Sequence, residues 1–257
     1  MSHQRPPRTT PVFETLRGWF DEVERTWVGV MDRSPGRPAR LSRALGVEHD
    51  VACPRCGNSV GPFESDVDGC AACRGKRLAW DRLVRLGSYE GELREAVLKL
   101  KYSGWRRVGE DLGRALGEKL ASELRKAGRD PSHALVVPVP TVFRRRMARG
   151  VDHARILARE VRHTCGCSIW YGLRRRGGQP QTGLSGESRR RNVAGRYFVR
   201  GRPRREVGLV VVIDDVRTTG ATMQAASRAI RATIPGVSEV WGGVVGVTPA
   251  QGSSERS

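Results

Sequence analysis

Gly208-Leu209-Val210-Val211-Val212-Ile213-Asp214-Asp215-Val216-Arg217-Thr218-Thr219-Gly220-Ala221-Thr222 is the stretch whose reading decides the fold of this chain. Val207 to Ile213 is an unbroken apolar run rich in β-branched residues, as expected of a strand covered on both faces of a parallel sheet. Two acids follow, then a loop of small residues that opens a helix over 221–232, ending before Pro235. In such a sheet, ligands bind beyond the carboxyl ends of the strands. The backbone N–H groups of the loop and of the helix N-terminus form a positive concavity. Thr218, Thr219 and Thr222 add hydroxyl donors, and Gly220 permits close approach, so a phosphate monoester fits there. Asp214 and Asp215 repel a phosphate, but they accept hydrogen bonds from vicinal hydroxyls one sugar-length away. A phosphate beside a diol specifies a ribose 5-phosphate.

Working outward, the spacing predicts helices through Leu93, Val97 and Leu100, and through Leu112, Leu116, Leu120 and Leu124. Ala134 to Val139 reads as a buried strand stopped by Pro138 and Pro140. Ala154 to Val161 is helical, Ser168 to Leu173 a further strand, and Val237 to Val247 closes the pattern. Strands alternating with helices predict an α/β fold with a Rossmann-like parallel sheet. Between them, Arg174 to Arg196 carries almost no apolar periodicity, and a connection of that length is functional or disordered.

The 257 residues, 38% hydrophobic, suffice for one substantial core and a small satellite. Lys plus Arg number 46 against 27 Asp plus Glu, a net charge of +19 that attracts phosphate-bearing partners without naming one. No run approaches the roughly 20 apolar residues of a membrane helix, and no apolar core of a secretory signal opens the chain, so a cytoplasmic protein is expected.

Six cysteines in a reducing compartment are free or bind metal. Cys53-x2-Cys56 and Cys70-x2-Cys73, 13 residues apart, offer four thiolates as two close pairs, the pattern of a structural tetrahedral Zn²⁺ site with no open position. On residue type alone, iron suits four thiolates equally well. Cys165 and Cys167 lack a matching pair and read as packing residues.

An apolar strand, two acids and a Thr-Thr-Gly-x-Thr loop resemble the signature of the type I phosphoribosyltransferases. That resemblance implies that Asp214 and Asp215 hold the ribose hydroxyls of phosphoribosyl pyrophosphate, while Val216, Arg217, Thr218, Thr219, Gly220, Ala221 and Thr222 wrap its 5-phosphate. Residues 50–248 further resemble one branch, the ComF/GntX-like proteins associated with bacterial competence and DNA uptake. The parts that carry this are the Cys module, Lys99-Leu100-Lys101-Tyr102, Val137-Pro138-Val139-Pro140, Arg149-Gly150, Gln181-x-Gly183-Leu184-Ser185 and Arg189-Arg190-Arg191-Asn192. By the family pattern, Arg145 and Arg149 meet the pyrophosphate, for which a guanidinium offers two parallel hydrogen bonds. Arg174 to Asn192 corresponds to a mobile loop that closes over the site, with Gln181, Arg191 and Asn192 facing the ligand. Where relatives often have Gly-Phe-Asn-Gln, this chain has Gly150-Val151-Asp152-His153, which assigns no role to Asp152 or His153.

The resemblance divides the chain into a partly disordered extension, 1–49, with one amphipathic helix through Phe13, Leu16, Phe20, Val23 and Trp27; a four-Cys zinc module, 50–80; a phosphoribosyltransferase-type domain, 81–248; and a disordered tail, 249–257. Two functions follow. One is Mg²⁺-dependent attack of a nucleophile on C1 of phosphoribosyl pyrophosphate, with electrostatic stabilisation of the leaving pyrophosphate. The other is a non-catalytic protein that binds single-stranded DNA through its positive charge, alongside competence proteins. No nucleobase pocket can be read, so the acceptor stays open.

Overall fold

A computed structural model describes residues 51–102, 106–140, 152–176 and 195–249. The expected amphipathic helix in 1–49, Arg145, Arg149, Gln181, Arg191, Asn192 and the tail from 250 lie outside the described residues.

The architecture is α/β. Five parallel strands form the main sheet: β3 (Arg82–Ser88), β4 (Leu135–Pro138), β5 (Ser168–Ile169), β8 (Leu209–Arg217) and β9 (Glu239–Val247), in the spatial order β3-β9-β8-β4-β5. A two-stranded hairpin, β1 (Ser65–Asp66) and β2 (Gly69–Cys70), belongs to the Cys module. Antiparallel β6 (Leu173–Arg175) and β7 (Tyr197–Val199) make a separate ribbon. Among the described residues there are four α-helices: α1 (Gly91–Tyr102), α2 (Arg106–Lys126), α3 (His153–Cys165) and α4 (Ala221–Thr233). None is long and apolar enough to cross a membrane.

Both faces of the sheet are covered, which is why its central strand reads as continuous apolar sequence. Val211 and Ile213 pack with Leu116, Leu120, Leu157 and Val161 on the α1–α2–α3 face. Val210 and Val212 pack with Met223, Ala226 and Ile230 of α4 on the other. Helices α2 and α3 approach very closely because Gly113 and Gly117 leave the α2 surface bare. A Cβ at either position would lie 3.1 Å from backbone atoms of Leu157 or Val161. Cys165 and Cys167 are buried in the same core, as their lack of a pairing pattern suggested.

Two boundaries differ from the sequence expectation. The acids are not beyond the strand but inside it: β8 runs on to Arg217, held by pairing of Asp214 with Val244 and Arg217 with Val247 of β9. The expected strand 168–173 breaks in two. Trp170 N–H makes a last bond to Val136 O at 2.9 Å, and its indole then folds against Gly172, where any Cβ would collide with it at 1.9 Å. Here, where Pro138 of β4 has no N–H for the next rung, the chain leaves the sheet, and Leu173 starts the ribbon.

Candidate functional site

The order of the sheet creates a crevice. From β4 the chain steps outward to β5, whereas from β8 it steps the opposite way to β9, so the adjacent carboxyl ends of β4 and β8 form a topological switch point, where ligands bind in open α/β sheets. Pro138 pairs in register with Ile213, and Val139 N–H bonds to Ile213 O at 2.8 Å. That brings Val137-Pro138-Val139-Pro140 beside Asp214-Asp215, two motifs far apart in the chain.

Asp214 and Asp215 are each partly exposed. Asp214 Oδ1 accepts from the Asp215 N–H at 2.9 Å, and Asp215 Oδ1 accepts from Val216 N–H at 2.7 Å. Burial, with the Asp215 carboxylate beside it, pushes the Asp214 pKa up to about 8. Lys101 Nζ lies 2.9 Å from Asp215 Oδ2 and acts against that rise. Tyr197 is buried close by, bonded to Thr222 and near enough to Asp214 for the two negative forms to oppose each other, and burial raises its pKa.

After Arg217 the chain turns at Gly220, whose φ of 77° places it in the left-handed region. Gly220 precedes α4 and offers no side-chain cap; the Ala221 N–H makes a long 3.4 Å bond to Thr219 Oγ1, and the positive end of the helix faces the loop. Thr218 and Thr219 are exposed, while Thr222 is half-buried. Arg217 links this arrangement to the Cys module: its side chain passes beside Gly220 and donates to Asn58 Oδ1.

The four module cysteines converge. Their Sγ atoms lie within 4.8 Å of one another, with Cys53 to Cys73 at 3.7 Å, Cys56 to Cys70 at 3.6 Å and Cys70 to Cys73 at 3.9 Å. A tetrahedral Zn²⁺ with sulfur ligands at about 2.3 Å requires sulfur separations of about 3.8 Å, so the cluster can hold such a metal without rearranging. All four residues are buried; burial pushes the Cys56 and Cys73 thiols up, whereas at Cys53 backbone hydrogen bonds outweigh burial and bring the thiol down to about 7.

No family model matches the chain. It is similar to the DNA utilization protein YhgH of Salmonella typhi, 29% identical over 196 residues, covering 74% of this chain and 82% of the relative. It is also similar to Competence protein F of Haemophilus influenzae, 27% identical over 206 residues, with 74% and 83% covered. YhgH of Escherichia coli K12 is 29% identical over 207 residues, with 78% and 86% covered. The chain is a relative of the ComF family.

Within that relationship, the Lys99-Leu100-Lys101-Tyr102 motif acquires a position. Lys101 ends α1 against Asp215, and its ammonium lies 5.9 Å from the Tyr89 ring centroid. The sequence assigns Lys101 no role of its own and offers Tyr197 only as a stacking surface or core residue; the ring is buried. The motif around Lys101 was the signal for the first, whereas nothing in the spacing marks Tyr197, whose strand β7 pairs with β6 and packs on α4. Asp152 plays a structural part as the cap of α3, accepting from the Arg155 N–H at 3.4 Å.

Proposed function

We propose that the chain binds phosphoribosyl pyrophosphate at the ends of β4 and β8 and transfers its phosphoribosyl group to an acceptor, in the service of DNA utilisation. The observation that carries this reading is the convergence, at the switch point, of Asp214, its partner Asp215, and the start of α4 behind the loop 217–222. Asp214 and Asp215 accept the ribose hydroxyls. Val216, Thr218, Thr219, Gly220, Ala221, Thr222 and the backbone of Arg217 surround the 5-phosphate. Arg145 and Arg149 neutralise the pyrophosphate, while Gln181, Arg191 and Asn192 close over it. Mg²⁺ would enter with the pyrophosphate, whose oxygens suit it, and the paired carboxylates offer the hard oxygen donors to orient it. In the transfer, the acceptor forms a bond to C1 as the bond from C1 to the pyrophosphate oxygen breaks, and the electron pair leaves with pyrophosphate. The names of the relatives, DNA utilization protein and Competence protein F, support the cellular setting, and a cytoplasmic location fits it. The same reading treats residues 50–80 as the metal module and 81–248 as the transferase-type domain.

The test is calorimetric titration of phosphoribosyl pyrophosphate with Mg²⁺ into wild type and the double variant Asp214→Asn, Asp215→Asn. Hydrogen bonds to charged groups contribute about 1.5–3 kcal/mol, so affinity is expected to fall at least about tenfold. A double variant that binds as tightly as wild type removes the assignment.

A second reading has its own observation. The outward face of the β6–β7 ribbon presents exposed Arg174, Arg176, Phe198 and Arg200, with the Arg176 guanidinium 5.6 Å from the Phe198 ring centroid. Arginines around an accessible aromatic suit single-stranded nucleic acid, by phosphate contact and base stacking. On this reading the chain is a non-catalytic single-stranded DNA-binding accessory to competence proteins.

A further inference from the structure

Arg217 contributes its backbone to the loop and its guanidinium to the Cys module. Nη2 donates to Asn58 Oδ1, two residues beyond Cys56. Its Nε is enclosed and has no hydrogen-bond partner among the described residues. A guanidinium keeps its charge under such conditions and therefore requires a nearby anion. Asp215, the neighbouring acid on β8, is engaged by Lys101. What remains is the cluster of Cys53, Cys56, Cys70 and Cys73: burial weakens the guanidinium's hold on its proton, and those four sulfurs act in the opposite sense. Four thiolates around a divalent cation carry a net negative charge, buried here, which calls for a positive partner in its outer shell.

The module is joined to the loop at further points. Trp80 Nε1 donates to Arg55 O at 2.8 Å, while its ring lies under Gly220, where a Cβ would be 3.1 Å from Cη2. Gln224, in the first turn of α4, accepts from Ala79 N–H at 2.9 Å and donates to Arg77 O at 3.0 Å. Arg55 spans the module, donating to Asp68 O, Cys73 O and Lys76 O at 3.1, 3.1 and 2.7 Å. With two-residue strands as its regular structure, the module depends on its metal for shape.

The geometry points to Arg217 as the counter-charge of the metal–thiolate centre and, through its own backbone, as the positioning residue by which that centre holds the phosphate loop. The second half rests on the loop being the ribose 5-phosphate site proposed above. Metal and ligand then support each other: each raises the affinity of the other, as linkage requires, and the gain is expected in slower dissociation.

The experiment follows zinc release from the full, zinc-loaded chain to a chromogenic chelator, with and without ribose 5-phosphate. Arg217→Met is expected to release zinc at least about tenfold faster than wild type, the scale of outer-shell substitutions at metal sites. Arg217→Lys, which retains the charge, is expected to stay near wild type, and Asn58→Ala, which frees the guanidinium from its anchor, to show a smaller acceleration. Ribose 5-phosphate is expected to slow release from wild type and not from Arg217→Met. Wild-type release rates in both Arg217→Met and Asn58→Ala overturn the counter-charge role, and Asn58→Ala decides alone if Arg217→Met does not fold. A wild-type rate unchanged by ribose 5-phosphate that calorimetry shows to be bound overturns the positioning role. Absence of ribose 5-phosphate binding to the zinc-loaded wild type counts instead against the proposed function, and the release rates of the variants still decide the role of Arg217.

Discussion

Lys101 Nζ meets Asp215 Oδ2 at 2.9 Å, joining the last turn of α1 to the end of β8 with each side chain 20% exposed. At that degree of enclosure, removing one partner leaves the other charge poorly solvated, so the loss exceeds that of an ordinary surface pair. Lys101→Met is expected to destabilise the chain by about 1 kcal/mol, lowering Tm by about 2–4 °C in scanning calorimetry. Because Lys101 also restrains the proton affinity of Asp214, the pH at which phosphoribosyl pyrophosphate binding reaches half its maximum is expected to move upward. A variant with unchanged Tm and unchanged binding profile would show that the contact has no energetic weight.

Asp214 makes stability depend on pH in the direction opposite to a salt-bridged acid. Its pKa rises from an ordinary 3.8 to about 8 in the folded chain, so between those values the native state holds a proton that the unfolded state has released. Stability from this group is complete below about pH 4 and is lost as pH rises through about 8. Asp214→Asn keeps the volume and the acceptor for the Asp215 N–H while removing the titration. Thermal unfolding across pH is expected to give equal Tm values for wild type and variant near pH 4, with the variant higher by at least about 2 °C at pH 8. Ligand binding runs the other way: if the ionised carboxylate accepts the ribose hydroxyls, wild-type affinity falls by up to about tenfold for each pH unit below about 8. A variant trailing wild type at every pH would contradict the burial argument.

The parallel sheet was legible because burial on both faces writes itself as uninterrupted apolar sequence in β8 and because Pro138 and Pro140 mark the end of β4. The acid pair and its loop were legible as adjacent residues. Contacts between distant segments were not. Nothing local to Lys101 says that α1 ends against Asp215, and an arginine before Thr218-Thr219-Gly220 gives no sign that its side chain reaches Asn58. The extension of β8 through two acids runs against strand propensity, which disfavours Asp. Pairing with β9 through Val247 overrides it. The break after Trp170 was hidden for a similar reason: Ser168 to Leu173 has strand composition, but the next rung falls on Pro138, which has no N–H, and the Trp170 ring folds onto Gly172.

Zinc should be present at one equivalent per chain in protein purified without chelator, since the sulfur separations already match a tetrahedral thiolate site. Elemental analysis distinguishes it from iron. Less than about 0.2 equivalents of any metal would remove the assignment. Removal by a strong chelator is expected to lower Tm, because Leu83 N–H bonds to Pro54 O at 2.9 Å and Gly57 packs on Leu83, so loosening the module disturbs the first strand of the main sheet.

The ribbon face decides between the two functional readings. If Arg174, Arg176 and Arg200 contact phosphates, each releases counterions from a single strand, and log K falls against log salt by about 0.7 per contact. Replacing all three with Ala is expected to weaken oligonucleotide binding at low salt and to reduce the magnitude of the salt slope by about 2. Phe198→Ala, which removes a stacking surface and no charge, is expected to leave the slope unchanged while costing about 1–3 kcal/mol for a base stacked on it. Fluorescence anisotropy of labelled single-stranded oligonucleotides, titrated over a range of salt, separates the two effects. The separation matters because the chain's net charge of +19 gives any basic face some affinity for DNA. A triple arginine variant with the wild-type slope would place the DNA contact elsewhere. An unchanged Phe198→Ala would reduce the ribbon to a generic cationic surface, leaving the crevice at Asp214 and Asp215 as the site that carries function.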